Sequence, residues 1–165
     1  MNIFKGNVWI FGNNIDTDII VPGAYLDAPL EEVIKHVLES VKPGFSEMVN
    51  IGDIIIAGKN FGCGSSRENA PAALKKLGIS CIAAESFARI FFRNSIAIGL
   101  PLVVCNGVSD YFSEGDEAIV DFDRGIVMNG KNDLKIEGEP FSDEIIRIVE
   151  MGGILELLKE EKSKK

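Results

Sequence analysis

Short apolar runs and helically spaced apolar positions alternate through the middle of this chain. Asp53 to Ala57 is nearly continuous in isoleucine, the pattern of a strand covered on both faces, and Ala70 to Leu77 reads as a helix stopped by Gly78. Ile79 to Ala84 is a second strand, Ser86 stands where it could cap a helix over Phe87 to Ile98, and Leu100 to Val104 is a third strand after Gly99. This strand, helix, strand, helix, strand order predicts parallel pairing through right-handed crossovers.

The flanks differ. Val8 to Phe11 is strand-like and leads through the turn-rich Gly12 to Asp18 into Ile19 to Gly23. Leu30, Val33, Ile34, Val37, Leu38 and Val41 fall at helical spacing, which predicts one amphipathic helix over Leu30 to Val41. Beyond Glu117, alternation replaces continuity: Ala118 to Phe122, Ile126 to Met128 and Leu134 to Ile136 are divided by Asp123-Arg124-Gly125 and Asn129-Gly130-Lys131-Asn132, both hairpin signals. Ser142 opens a last helix, broken at Gly152-Gly153 and resumed over Ile154 to Glu161. With no repeat or low-complexity linker, all 165 residues are expected to form a single α/β domain, residues 1–165.

Composition narrows the function. The hydrophobic share is 46% with charges spread throughout, and no apolar run reaches membrane-spanning length. A net charge of −8 opposes binding to nucleic-acid phosphates, and the lysines of the 159–165 tail are interleaved with glutamates. Three cysteines, Cys63, Cys81 and Cys105, form no CxxC pair and suit free thiols in a reducing compartment. The N-terminus has no secretory h-region, so a cytoplasmic location is expected. The same negative field would oppose an anionic metabolite unless a local positive pocket met it.

Asn60-Phe61-Gly62-Cys63-Gly64-Ser65-Ser66-Arg67-Glu68 is the segment able to supply that pocket. It joins a strand to a helix, where unpaired N–H groups and the helix dipole favour an anion. Arg67 stands where a dinucleotide fingerprint needs its third glycine and where a nucleophile elbow needs its last one, and no Gly-Lys-Ser/Thr follows for a P-loop. Gly62 and Gly64 instead permit backbone angles closed to other residues and leave room for a ligand above the turn. Ser65 or Ser66 can cap the helix, with Glu68 as a partial capping box. The Arg67 fork matches a carboxylate.

Elsewhere the candidates are fewer. His36, the one histidine, falls within the amphipathic helix as a packing or surface residue, which argues against a Ser-His-Asp triad. No His or Cys spacing suggests a metal site on this chain. Asp16 and Asp18 could bind a cation, act as a base or simply solvate their turn. Cys81 and Cys105 lie inside apolar strands, whereas Cys63, in the glycine-rich turn, could have a lowered pKa and act as a nucleophile. Arg89 and Arg93, four residues apart, could share one pocket or a solvated helix face.

Together with Gly58 to Glu68, the segment Ser86-Phe87-Ala88-Arg89-Ile90-Phe91-Phe92-Arg93-Asn94 and the early Asp16-Thr17-Asp18 closely resemble the aconitase superfamily. Within it the resemblance is to separately encoded small subunits of the 3-isopropylmalate dehydratase type, and it spans nearly the whole chain. It implies a three-layer β/β/α swivelling domain with a mixed sheet around the parallel core. It also implies a large-subunit partner carrying a [4Fe-4S] cluster, whose iron binds substrate, while this chain binds no cluster itself. The implied reaction dehydrates and rehydrates a 2-hydroxy acid, moving its hydroxyl between adjacent carbons, as in leucine biosynthesis. By the same resemblance Ser65 is the base that removes the carbon-bound proton, Arg67 clamps a substrate carboxylate, and Ser66 and Gly64 support binding. Substrate choice is assigned to the loop Gly23 to Leu30, above all Tyr25, Leu26, Asp27 and Ala28. No basic residue lies between Asp16 and Ile34 to meet an additional carboxylate, and Leu26 and Ala28 suit an isopropyl branch. A homoaconitase or methylated-malate dehydratase, and a non-catalytic carboxylate-sensing module, are the competing expectations.

Overall fold

A computed structural model describes all residues 1–165. Seven strands form one mixed sheet: β1 (Ile3–Phe11), β2 (Ile54–Ala57), β3 (Cys81–Ala84), β4 (Leu102–Val104), β5 (Glu117–Asp121), β6 (Ile126–Asn129) and β7 (Lys135–Glu137), in the order β4-β3-β2-β1-β5-β6-β7. The long β1 joins two halves. Its C-terminal part pairs parallel with β2, Val8 opposite Ile54 and Phe11 opposite Ala57, while its N-terminal part pairs antiparallel with β5, Ile3 opposite Asp121. β2, β3 and β4 continue in parallel, and β5, β6 and β7 form an antiparallel meander.

Side-chain alternation explains three layers. On β2, Ile55 and Ala57 face a core shared with Leu74, Phe45 and Phe61, whereas Ile54 and Ile56 face a second core shared with Val120, Phe122 and Val127. The parallel half is therefore covered on one face by helices and on the other by the antiparallel half folding back over it, which requires strands apolar on both sides. This is the β/β/α arrangement expected.

The helices are α1 (Thr17–Ile20), α2 (Leu30–Val33), α3 (Phe45–Met48), α4 (Asn69–Leu77), α5 (Arg89–Ala97), α6 (Asp143–Glu150) and α7 (Ile154–Ser163). α4 ends on Gly78 in the left-handed region, Ser142 caps α6 by accepting from the Ile145 N–H, and Gly153 separates α6 from α7, all as expected.

Three expectations fail for identifiable reasons. The helix over Leu30 to Val41 stops early: α2 passes into a 3-10 turn over Ile34–His36, Val37 is extended, and Leu38 has φ 58°. Both Val37 and Leu38 are fully buried, and the Leu38 N–H donates to the Ile20 carbonyl at 3.1 Å, so core contact overrides helical periodicity. β1 begins at Ile3 rather than Val8, because Gly6 lets the strand pass where the Gly52 carbonyl oxygen would lie 2.0 Å from a Cβ. Ser86 does not cap α5. Its hydroxyl accepts from the Asn60 N–H at 2.8 Å, Phe87 bridges to Phe61 in parallel, and the helix starts only at Arg89.

Candidate active site

That bridge places the glycine-rich turn against α5. The Phe61 N–H donates to the Ser86 carbonyl and the Ala88 N–H to the Phe61 carbonyl, stitching the two segments side by side. Gly62 then crosses over Phe91 with φ +81°, so close that a Cβ would lie 2.1 Å from the ring. Its N–H donates to the Ile15 carbonyl at 2.7 Å. A side chain at this position has neither the angle nor the space.

The acidic turn before α1 grips the other side. Asp16 caps α1, its Oδ1 accepting from the Ile19 N–H at 2.8 Å. Buried Thr17 donates its N–H to the Cys63 carbonyl at 2.8 Å and its hydroxyl to the Ser65 carbonyl at 2.9 Å. Asp18 pairs with the Arg67 guanidinium. The alternatives for Asp16 and Asp18 thus resolve into a helix cap and an ion-pair partner. Thr17, the residue that fixes the turn, was visible in sequence only as part of the Asp-Thr-Asp string.

Ser65, Ser66 and Arg67 lie ahead of α4, not in it. Glu68 occupies the N-cap position in helical conformation without a side-chain bond, so neither serine caps the helix and no capping box forms. Gly64, at φ +95°, and the Thr17 grip on the Ser65 carbonyl turn the chain away before the helix begins. The consequence is chemical: both serines line a cavity instead of capping the helix.

Arg67 is the organising side chain. Its Nε donates to the Ser65 hydroxyl at 3.2 Å, its Nη1 to the Val21 carbonyl at 3.1 Å, and its Nη2 meets Asp18. All three edges of the guanidinium are engaged, and the side chain is only 17% exposed. A cavity of about 280 Å³ opens beside it, lined by Thr17, Gly62, Gly64, Ser65, Ser66 and Arg67 on the turn side and by Ala88 to Phe91 with Asn94 on the α5 side.

Residues 46–106 match the model of the aconitase C-terminal domain, which takes in every cavity residue except Thr17. A 3-isopropylmalate dehydratase small subunit of Methanopyrus kandleri is 52% identical over 97% of this chain and 95% of its own. The chain belongs to this small-subunit family of aconitase-type dehydratases. An isopropylmalate/citramalate isomerase small subunit of Methanocaldococcus jannaschii is 48% identical, covering 96% of this chain and 95% of its own. A methanogen homoaconitase small subunit of Methanothermobacter thermautotrophicus is also 48% identical, over 93% and 89%. The crystal structure of a 3-isopropylmalate dehydratase chain from Methanocaldococcus jannaschii superposes with a TM-score of 0.90 at 38% identity, over 98% of this chain and 96% of that one.

Within this small-subunit architecture the remaining candidates separate. Arg89 lines the cavity, whereas Arg93 lies in an apolar groove with Ile145, Ile148 and Ile154, so the two do not share a pocket. Tyr25, Leu26, Asp27 and Ala28 do not line the cavity either. Their loop meets the start of α4 and the 3-10 turn instead: the Leu26 carbonyl accepts from the Asn69 amide at 3.4 Å, and Tyr25 stacks on His36 at 3.6 Å. His36 is held between Glu39 and Glu32, and the Glu39 hydrogen bond raises its pKa above the ordinary value.

Cys63 does not line the cavity, although Gly62 and Gly64 on either side of it do. Partial burial, and then the Asp16 charge, push the Cys63 thiol above its ordinary pKa, the opposite of activation. Cys81 and Cys105 are core residues whose thiols are also pushed up by burial, Cys105 to about 11. Nor does this chain's donor set fit an iron-sulfur cluster: two of its thiols face the core, and no group of three His, Cys, Asp or Glu residues converges to hold a metal ion. No helix is long and apolar enough to cross a membrane.

Proposed function

We propose that this chain supplies half of a composite active site. A large subunit carrying a [4Fe-4S] cluster supplies the other half, and the assembled cytoplasmic enzyme interconverts 2-isopropylmalate and 3-isopropylmalate by dehydration and rehydration. Ser65 is the base. The observation that carries this reading is the Arg67 Nε–H donated to the Ser65 hydroxyl beside the cavity. A serine hydroxyl is a weak base because its alkoxide is costly. A permanently charged donor aimed at that oxygen stabilises the alkoxide left once the hydroxyl proton has passed to solvent water; the alkoxide then takes the proton from the substrate carbon and becomes the neutral hydroxyl again, while the C–H electron pair forms the double bond as the substrate hydroxyl leaves.

Arg67 also receives a substrate carboxylate. Its Nη2 already holds one carboxylate, that of Asp18, which is 63% exposed and free to swing into solvent when substrate replaces it. The Methanopyrus kandleri relative, 52% identical over nearly the whole chain, is a 3-isopropylmalate dehydratase small subunit, which favours isopropylmalate as the substrate. The homoaconitase-type substrate is the second reading.

The test is turnover by the chain assembled anaerobically with its large subunit, with isopropylmalate and homocitrate compared by kcat/KM. Ser65→Ala should lower kcat by roughly 10²- to 10⁴-fold while leaving assembly intact. Wild-type turnover by Ser65→Ala would overturn the base assignment, and faster turnover of homocitrate would overturn the substrate.

A further inference from the structure

In a chain of net charge −8, none of the eleven residues lining the cavity is acidic, and two of them are arginines. The two are not equivalent. Arg67 is neutralised by Asp18 and anchored on Val21 and Ser65, whereas the Arg89 side chain, solvent-exposed on the cavity wall, makes no hydrogen bond or ion pair with another side chain or carbonyl of the chain. Arg89 is also the first residue of α5. That helix has Ala88 at its N-cap with no side-chain bond and carries no acidic residue in its first turn. A cation is disfavoured at a helix start, where the unpaired N–H groups already carry positive potential, and an anion alongside relieves both. The cavity therefore has a cation paired within the chain on its turn wall and, on its helix wall, one whose only partner is solvent.

We propose that Arg89 is a second carboxylate-binding residue: it takes one carboxylate of the substrate while Arg67 takes the other. This assignment rests on the dehydratase reading above, whose substrate is a dicarboxylate with the reacting carbons between its two acid groups. Holding both ends fixes the C–H bond relative to Ser65 and leaves the alkyl branch to be accommodated elsewhere. It also accounts for an arginine rather than a lysine, since a planar fork can engage both oxygens of a carboxylate.

The test uses the assembled enzyme carrying Arg89→Gln and Arg89→Lys, with steady-state kinetics on isopropylmalate and inhibition by succinate and by butyrate, a diacid and a monoacid. Arg89→Gln should raise KM roughly 10- to 100-fold, the range of a lost charge-assisted hydrogen bond, with a smaller fall in kcat. Its preference for succinate over butyrate should collapse, and Arg89→Lys should recover part of both losses. A KM within twofold of wild type, or an unchanged succinate-to-butyrate ratio, would overturn the proposal. Ser65→Ala serves as the control that separates the two claims: if it is inactive while Arg89→Gln binds normally, the dehydratase reading stands and only the second anchor falls.

Discussion

Replacing Gly62 with alanine tests whether the turn is held by α5 as described. Two costs add. At φ +81° an L-residue sits in the left-handed region, which costs about 1–2 kcal/mol. The new Cβ would lie 2.1 Å from Phe91 Cγ and 2.5 Å from its Cβ, and forcing a methyl into such a place costs about 1–3 kcal/mol more. Phe91 cannot step aside easily, because it is 3% exposed and packs edge-on against Phe61 at 5.4 Å with Phe87 beside it. The combined loss of about 2–5 kcal/mol is a large part of the roughly 5–15 kcal/mol that stabilises a typical domain. At about 2–4 °C per kcal/mol for a chain of this size, Tm should fall by about 4–20 °C in a calorimetric scan. Gly12→Ala is the matched control, since a Cβ there meets nothing within 4 Å and should shift stability by less than about 0.5 kcal/mol. If Gly62→Ala melts with the Gly12→Ala variant, the close crossing over Phe91 is wrong.

Two other substitutions address individual residues. Cys63→Ser should retain wild-type turnover in the assembled enzyme, because the thiol is pushed towards its neutral form and only the residue's backbone carbonyl holds the turn; a loss above tenfold would restore the thiol to the mechanism. His36→Gln should show a stability deficit that depends on pH. With a folded pKa raised above the ordinary 6.5, chiefly by Glu39, protonated His36 contributes fully below pH 6.5, and the contribution fades as pH rises through the folded value. Urea unfolding of both proteins across that range should therefore converge at high pH, and a deficit that grows with pH would contradict the Glu39 pairing.

Much of this arrangement was legible in the chain because local rules and tertiary packing agree there. β2, α4, β3, α5 and β4 each bury what their apolar pattern says they bury, and the glycine breaks fall where the backbone turns left-handed. Where they disagree, packing prevails. Leu30 to Val41 carries helical spacing, yet the core takes Val37 and Leu38 by a left-handed turn that no spacing rule encodes. Ser86 is a good capping residue by type, but the Asn60 N–H reaches its hydroxyl first.

The site divides in the same way. Residue types alone marked the Ser65 to Arg67 turn as a candidate anion site and argued against the nucleotide, triad and metal alternatives, because hydroxyl, guanidinium and ligand chemistry are properties of side chains and their spacing; the roles proposed for Ser65 and Arg67 came from the resemblance to the aconitase superfamily. Which partner each group meets depends on segments far apart in sequence. Thr17 fixes the Ser65 carbonyl across 48 positions, and Val21 receives Arg67 across 46. Arg89 enters the cavity only because Phe61 and Phe87 bridge, and Arg93, one helical turn further along the same helix, opens instead on the apolar groove beside α6. Sequence by itself determined the chemistry available to this protein. Tertiary structure decided which charges are already compensated, because neutralisation depends on distance in space, and it left Arg89 without an internal partner.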